Sequence, residues 1–412
     1  MNAPHLYQLL VCRPVLNDAA IESLAQWLEE PSDDAMQYEC LSLLLREAET
    51  HGLSGNILQS YILFRLMHDE NIAAETIEKT NGTLGKNLKL AFIHDIEVLE
   101  PLLRNLPSKW FNTTILDDYT PTEAKMTEGG AFVASALSVD WTPESLAEKL
   151  IEYYHRFGNG KIAQFRAFRW DKELGLVGIE HFEPVRMENL IGYASQKHDL
   201  IANTLAFLSG RPANNVLLVG ARGTGKSSSV KALANEYFMQ GLRLIQLQKS
   251  QLGELPRLLQ TLRRIASKRF IIYLDDLSFE SNDPEYKYLK SAIEGGVESC
   301  PENVLIYATS NRRHLIKESW HDRESGQDEI YKSDNMNETI SLSDRFGLII
   351  MYRLPDQNEY LAIIDHALRE KGIILTPEEL KQAGHRWELE HSGRSGRVAQ
   401  QFVNYYLGQH KK

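Results

Sequence analysis

The sequence lacks an apolar run long enough for a membrane span. Its longest apolar runs cover only a handful of residues, whereas a transmembrane helix needs roughly 20. The first residues, MNAPHLYQLLVCRPV, have no basic residue before their short apolar patch and no small-residue cleavage site, so they do not resemble a signal peptide. We therefore expect a cytoplasmic protein that does not associate with membranes.

Cysteine is scarce, and the common metal-binding patterns are absent. The three cysteines, Cys12, Cys40 and Cys300, show no paired spacing, which is typical of free thiols in a reducing compartment. The 13 histidines form neither an HExxH motif nor a quartet with cysteine, so we expect them on the surface or in the core. These absences argue against a disulfide-stabilised scaffold. They also argue against a zinc site of the HExxH type and against one built from four His and Cys residues.

The sequence also lacks an excess of basic residues. It has 45 Lys and Arg against 56 Asp and Glu, which gives a net charge of -11 at pH 7. This balance argues against a surface that binds nucleic acid throughout, although a local basic stripe is compatible with it. With 43% hydrophobic and 25% charged residues over 412 positions, the composition is that of a globular protein with two or three domains.

The periodicity of apolar residues divides the chain into three regions. From Ala20 to about Lys89 these residues recur at helical spacing and mixed signals follow, so we predict a mostly helical N-terminal domain over residues 1–185. Over residues 186–355, runs of Val, Ile and Leu alternate with amphipathic helices, which predicts an α/β core with a doubly wound parallel sheet. Residues 356–412 return to helical spacing and are predicted to form a small helical lid. The ligand of such a core is expected at the carboxyl ends of its strands.

The segment GARGTGKS matches the phosphate-binding pattern G-x-x-x-x-G-K-[ST] between a predicted strand and a predicted helix. The glycines let backbone N–H groups surround phosphate oxygens, Lys226 would neutralise the β and γ phosphates of ATP, and Ser227 would bind Mg²⁺. The alternative is a glycine-rich turn that matches by chance. Arg222 has no fixed role in the pattern and is expected to be solvated. The predicted nucleotide-binding residues are Gly220, Ala221, Arg222, Gly223, Thr224, Gly225, Lys226 and Ser227.

Two adjacent carboxylates follow the predicted strand RFIIYL. Unpaired carboxylates next to a core are costly, which favours a functional reason for them. Asp275 would hold Mg²⁺ through water, and Asp276 would polarise the attacking water as a general base. A capping aspartate at the start of a loop is the alternative, and it explains one carboxylate better than two.

The sequence has no NKxD motif and no LSGGQ signature, which disfavours a GTPase or a transporter ATPase. The order of the motifs GARGTGKS, LDDLSFE, NVLIYATSNRRHL, SLSDRFGL and SGRVAQQF resembles the AAA+ ATPases, and most closely a bacterial family of predicted ATPases of unknown function. The resemblance covers roughly residues 189–407. It implies a P-loop core with a helical lid, and ATP and Mg²⁺ as cofactors.

The resemblance also implies roles for three further residues. Asn311 would lie between the γ-phosphate and the attacking water, or alternatively would be a turn residue at a strand end. Arg345 would reach into a neighbour's site as an arginine finger, which requires a homo-oligomer with shared ATP sites; the alternative is an ion pair with Asp344 or a lid acid. Arg397 would contact the phosphates from the lid, with Arg394 as the competing candidate.

One departure from the family pattern concerns the second acid. Many AAA+ proteins have Asp-Glu where this chain has Asp-Asp, and the shorter side chain withdraws the carboxylate by about one bond length. A misplacement near 1 Å can cost on the order of a hundredfold in rate. Because Asp-Asp also occurs in replication initiators and helicase loaders, we expect slow, partner-stimulated ATP hydrolysis that remodels a macromolecular partner.

Two other functions are open alternatives. A nucleotide-gated nucleic-acid-binding protein resembling initiators or helicase loaders would use the basic clusters RNLPSKW, LRRIASKR or NRRH. A small-molecule P-loop kinase is also conceivable, but sensor residues and a helical lid are not its usual equipment. The charged insertion Lys317–Thr339 is either a surface loop or a segment that reaches a partner. The segment Ile191–Tyr193 either wraps the adenine or is part of a linker.

Overall fold

The second of two structural units begins earlier in the chain than the sequence pattern predicts. In a computed structural model, the described residues are 4–31, 33–125, 127–137, 140–279, 283–294, 300–311, 315, 345–391 and 393–410. The first unit consists of Met1–Gln164 and Arg264–Lys268, and the second of Phe165–Arg263 and Arg269–Lys412. The prediction placed the boundary after residue 185. The observed and the predicted boundaries differ because the strands that follow Gln164 pair with the sheet of the second unit.

The first unit is mostly helical, as the periodicity predicted. Its helices are α1 (Ala19–Glu29), α2 (Asp34–His51), α3 (Ile57–His68), α4 (Ile72–Thr80), α5 (Lys86–Arg104), α6 (Glu128–Ala134), α7 (Pro143–Phe157) and α8 (Gly160–Gln164). Polar side chains cap several helix starts: the Asp18 carboxylate accepts hydrogen bonds at the start of α1, and the Asn71 amide does so at the start of α4. Apolar residues at helical spacing, such as Leu24 and Leu28 of α1, are buried in the core.

One lysine of the first unit is fully buried. Lys268 is 0% exposed, and its ammonium group donates to the carbonyl oxygens of Tyr154 at 3.5 Å and His155 at 2.5 Å, in the last turn of α7. The Glu78 carboxylate interacts with it electrostatically and accepts a hydrogen bond from the backbone N–H of Asn159 at 2.9 Å. Burial raises the pKa of Glu78, and the Asn159 N–H and Lys268 oppose that rise. Carbonyl groups and a carboxylate therefore compensate the buried cation.

The second unit is built on a largely parallel sheet, which confirms the predicted fold class. Its strands are β1 (Ala167–Asp171), β2 (Gly175–Gly178), β3 (Val216–Gly220), β4 (Leu242–Gln246), β5 (Arg269–Leu274), β6 (Val304–Ser310) and β7 (Leu348–Tyr352). The described strands form one sheet in the order β2-β1-β4-β5-β6-β3-β7, and only β2 is antiparallel to its neighbour. The apolar runs of β3 and β6 are buried along nearly their whole length, as expected for strands covered on both faces.

Helices accompany this sheet and form a separate C-terminal group. The helices within the α/β core are α9 (Ala194–Leu208), α10 (Lys226–Tyr237), α11 (Leu255–Arg263) and α12 (Glu285–Glu294). The C-terminal helices are α13 (Gln357–Arg369), α14 (Pro377–Glu390) and α15 (Gly396–His410). They bury a small core of their own, which includes Tyr360, Ile364 and Phe402. This arrangement confirms the predicted helical C-terminal region. Among the helices that the structure describes, none combines the length and the apolar character needed to cross a membrane.

Candidate functional site

The sheet topology brings the predicted site residues to one edge. The strands β5, β6 and β3 are adjacent and parallel, so their carboxyl ends lie side by side. Gly220 ends β3, Asp275 follows β5, and Asn311 follows β6. The phosphate-loop motif, the paired carboxylates and the polar amide therefore meet at the edge where ligands of such sheets bind.

Two glycines of the loop occupy positions that a side chain would not tolerate. Gly220 has φ 153°, and a Cβ there would collide with the carbonyl oxygen of Tyr352 on the neighbouring strand β7. Gly223 has φ 75°, and a Cβ there would lie 3.0 Å from the Ser395 hydroxyl and 3.1 Å from Cβ of Arg397. The loop is therefore packed closely between strand β7, the outermost strand next to β3, and the C-terminal helices.

Lys226 is buried at the start of α10. The residue is only 6% exposed. Its ammonium group donates hydrogen bonds to the carbonyl oxygens of Gly220 and Ala221, both at 2.7 Å. A third hydrogen bond reaches the amide oxygen of Asn311 at 3.2 Å. Burial lowers the pKa of Lys226, although the nearby Asp276 and Asp275 carboxylates act in the opposite direction.

Three hydroxyl groups donate to the same carboxylate oxygen of Asp275. Oδ1 accepts hydrogen bonds from Ser227 at 2.8 Å and from Tyr273 and Thr309, both at 2.6 Å. Burial by itself would raise the pKa of Asp275, but these hydrogen bonds and the Lys231 charge outweigh it and leave the pKa below its usual value. Asp275 is therefore an ionised group at neutral pH.

The sequence analysis did not single out Tyr273 or Thr309. Tyr273 lies two residues before Asp275, and residues at this spacing in a strand point to the same face, so its position carried a usable signal. Thr309 lies on β6, and its contact with Asp275 depends on the pairing of β5 with β6. That pairing is a tertiary feature, which the local sequence does not specify.

Asp276 has an unusual backbone and is contacted on both carboxylate oxygens. Its φ is 51°, in the left-handed region, and its N–H donates to the Thr309 hydroxyl at 2.9 Å. The Asn311 amide nitrogen donates to Oδ1 at 2.5 Å, and the Arg222 guanidinium lies 3.5 Å from Oδ2. Asn311 thus accepts from Lys226 and donates to Asp276, which uses both functions of its amide. Arg222 is largely exposed, as expected, but has an acidic partner.

The start of α15 contacts the phosphate loop directly. The backbone N–H of Gly396 donates to the carbonyl oxygen of Gly223 at 2.8 Å, and Ser395 caps α15 by accepting from the N–H of Val398. Arg397 is exposed, and its Cβ lies next to Gly223, at 3.1 Å from where a Cβ of that residue would be. The competing candidate, Arg394, donates to Glu388 of α14 at 2.6 Å. Of these two arginines, the geometry places Arg397 at the loop and engages Arg394 within the C-terminal helices.

The segment predicted to wrap adenine lies beside the end of β7. Gly192 and Tyr193 both have positive φ, 81° and 56°. The Tyr193 hydroxyl donates to the carbonyl oxygen of Arg353 at 2.8 Å, and its ring lies 5.0 Å from that of Tyr352. Arg353 in turn forms an ion pair with Glu359 of α13 at 2.6 Å. The segment therefore contacts the connection between the α/β core and the C-terminal helices, and adenine binding stays a prediction.

Arg345 forms an ion pair with Glu294 at the end of α12. An ion pair was the alternative to its role as an arginine finger, although the partner differs from those considered. Asp344, the nearest partner considered, lies outside the described residues, as does the insertion Lys317–Thr339.

The basic clusters considered for nucleic-acid binding use several of their cations internally. Arg104 stacks on the ring of Trp141, with 4.2 Å between the guanidinium carbon and the ring centroid. Lys268 is fully buried, and Arg269 donates to a backbone carbonyl at 2.9 Å. Residues 312–314 of the third cluster lie outside the described residues. These contacts leave fewer free cations than the sequence suggests.

A family model described as "Protein of unknown function (DUF815)" matches residues 163–410. The chain belongs to this family. The match confirms the resemblance to a family of unknown function that the motifs indicated. It begins at the second unit and covers the phosphate loop, both carboxylates and the C-terminal helices of the DUF815 chain, so most of the helical first unit lies outside it.

Two proteins are among those whose solved structures have a similar fold. The Thermotoga maritima RuvB Holliday junction branch migration motor is 18% identical over 54% of this chain and 64% of its own, with a TM-score of 0.38. C. elegans PCH-2 is 16% identical over 55% of this chain and 65% of its own, with a TM-score of 0.36. The DUF815 chain thus spans less than two thirds of either protein's length. No curated protein matches it.

Proposed function

We propose that the chain is a Mg²⁺-dependent ATPase of AAA+ type, which couples slow or partner-stimulated hydrolysis to the remodelling of a macromolecular partner. The observation that carries the proposal is the meeting of Lys226, Asp275, Asp276 and Asn311 at one sheet edge, beside the start of a helix. A buried cation at the positive end of a helix indicates a site for an anion such as a polyphosphate.

The residues present fit ATP with Mg²⁺. Backbone N–H groups of the loop and the Lys226 ammonium group would bind the phosphates. Ser227 donates its one hydroxyl proton to Asp275, so its oxygen keeps its lone pairs for a cation. Ser227 and, through water, Asp275 would hold Mg²⁺, which would neutralise phosphate charge. Among the described residues no group of three or more His, Cys, Asp and Glu could hold a metal by itself, and Mg²⁺ in phosphate-transfer sites needs only one or two protein ligands.

Asp276 and Asn311 would act on the attacking water. The Asn311 amide would orient it, and the Asp276 carboxylate would accept its proton at one oxygen. Both oxygens of Asp276 already have partners, since Asn311 donates to Oδ1 and Arg222 lies near Oδ2. These contacts hold the carboxylate in one orientation, and a partner that moved Asn311 or Arg222 would change how directly it faces the water, which supports a slow basal rate that a partner would stimulate.

Arg397 and Arg345 would link the nucleotide to larger movements. Arg397 lies against the phosphate loop, so a change at the γ-phosphate would be transmitted to α15. Arg345 would act as the finger in a neighbouring subunit's site of a homo-oligomer, and for that it would exchange its ion pair with Glu294 for the neighbour's phosphate. The remodelled partner is a macromolecule rather than a metabolite in this proposal.

The test compares ATP binding and hydrolysis in four forms of the full chain. Lys226→Ala is expected to lose ATP binding, whereas Asp276→Asn is expected to keep binding and lose hydrolysis. Lys89→Ala is the control, because Lys89 belongs to the first unit and pairs with Glu148 at 2.9 Å. Fast turnover by the purified protein that Asp276→Asn leaves unchanged, or ATP binding that survives Lys226→Ala, would contradict the proposal. The Asp276→Asn form held in ATP is also suited to capturing the partner.

A further inference from the structure

The described hydrogen bonds hold Asp275 by one carboxylate oxygen, Oδ1. In the part of the chain that the structure describes, every hydrogen bond to its carboxylate falls on Oδ1. Two of the three donors, Tyr273 and Thr309, are almost fully buried, at 2% and 1% exposure, and come from the adjacent strands β5 and β6. Hydrogen bonds from buried residues of the sheet therefore fix the direction of the Asp275 carboxylate.

The Thr309 hydroxyl connects the two carboxylate residues of the site. A hydroxyl group has one proton to donate, and that of Thr309 goes to Asp275 at 2.6 Å. Its oxygen accepts the backbone N–H of Asp276 at 2.9 Å. One side chain thus orients the carboxylate of Asp275 and holds the left-handed backbone of Asp276.

We propose that Thr309 and Tyr273 are positioning residues that set how strongly the nucleotide-bound protein takes up Mg²⁺. The inference rests on the proposed function and deepens it, because it assigns the Mg²⁺ requirement to two residues that bind neither metal nor nucleotide. Hydrogen bonds to a carboxylate that holds a metal, here through water, fix its direction, and loss of such an outer hydrogen bond typically weakens metal affinity by about 10- to 100-fold.

The same core contains a matched pair of hydroxyl residues away from the site. Thr204 and Tyr307 are both fully buried, and their hydroxyl groups are 2.9 Å apart. Tyr307 is the register partner of Tyr273 on the neighbouring strand. The two pairs share residue types and burial, and they differ in whether their hydroxyl groups contact Asp275.

The experiment measures how Mg²⁺ strengthens the binding of a non-hydrolysable ATP analogue to the full chain, by calorimetry with and without the metal. Thr309→Val is expected to raise the Mg²⁺ concentration for half-maximal strengthening by about tenfold or more, since it removes both bonds of the hydroxyl. Tyr273→Phe removes one bond and is expected to have a smaller effect in the same direction. Thr309→Ser, which keeps the hydroxyl, is expected to restore the wild-type value. Metal-free binding of the analogue should stay unchanged in all three.

The controls Thr204→Val and Tyr307→Phe should leave the Mg²⁺ dependence unchanged, even where they lower the unfolding midpoint. If Thr309→Val does not fold, Tyr273→Phe with its Tyr307→Phe control carries the test. A Mg²⁺ dependence equal to wild type in both site variants, or an equal shift in the controls, would overturn the inference while the proposed function stands. A wild-type chain that binds the analogue without any effect of Mg²⁺ would overturn both.

Discussion

Two buried lysines, one in each unit, both donate to backbone carbonyl groups but lie at opposite ends of their helices. Lys268 is 0% exposed and donates to carbonyl groups in the last turn of α7, where the helix end is negative. Lys226 is 6% exposed and is the first residue of α10, where the helix end is positive. The first cation is stabilised by its own surroundings, whereas the second would be stabilised further by an anion. Burial alone thus does not distinguish a structural lysine from a binding lysine, and the polarity of the nearby helix end does.

The strongest way to break this comparison is to neutralise Lys268. Lys268→Met is expected to lower the free energy of unfolding by about 3–5 kcal/mol, because it leaves the half-buried Glu78 and the α7 carbonyl groups without their cation. Chemical denaturation measures the change. A loss below about 1 kcal/mol would show that Lys268 is not a structural cation.

Neutralising Lys226 should have the opposite profile. Lys226→Met is expected to weaken ATP binding by about a hundredfold, since a buried charge partner of the phosphates is lost. The stability of the nucleotide-free protein should fall by less than in Lys268→Met, because the loss of three hydrogen bonds is partly offset when a cation leaves the positive end of a helix. Binding and denaturation experiments on the same preparation check both parts, and a large loss of stability would contradict the contrast with Lys268.

A double-mutant cycle sharpens the assignment of Lys268. Glu78→Gln should cost about 1–3 kcal/mol less in the Lys268→Met background than in the wild type, because the two charges compensate each other. Denaturation of the four proteins gives the coupling energy. Additive effects would mean that the carbonyl groups of α7 alone stabilise the lysine.

The pH dependence of stability gives a further contrast within the first unit. Burial lowers the pKa of His68 to about 4, from about 6.5 for an exposed histidine. The unfolded chain therefore takes up this proton first as the pH falls, so stability is lost between about pH 6.5 and pH 4. We expect His68→Gln to reduce that loss by on the order of 1–2 kcal/mol, after allowing for its partial exposure. Denaturation at several pH values checks it, and an unchanged slope would contradict the assignment.

The smallest expected effect concerns Arg222. Its contact with Asp276 is long and exposed, at 3.5 Å, so it holds the carboxylate weakly. Arg222→Ala is expected to raise the basal rate of ATP hydrolysis about two- to fivefold while ATP affinity changes little. A lower rate would show that Arg222 assists the reaction instead of restraining Asp276.

Local patterns were enough to predict the sheet, the C-terminal helices and the positions of the motif residues. GARGTGKS spans the end of β3, a loop and the start of α10, and the apolar run before Asp275 lies within β5, so neighbouring residues determine both. That β1 and β2 join the sheet depends on a pairing between distant parts of the chain, which local patterns do not specify. The burial of Lys268 was missed for a related reason, since the sequence shows a charge but not the helix end that receives it. Thr309 became visible only through the pairing of β5 with β6.

The left-handed backbone at residue 276 offers a reason for the shorter acid. Asparagine and aspartate adopt this conformation more readily than other non-glycine residues, because their short polar side chains can hydrogen-bond locally. A glutamate at 276 would extend the carboxylate farther from the sheet but would fit the backbone less well, by roughly 1 kcal/mol. Chain geometry, before any requirement of the reaction, therefore restricts which acids this position can accept during evolution. The distance that the carboxylate extends from the sheet is therefore limited by the backbone conformation at residue 276.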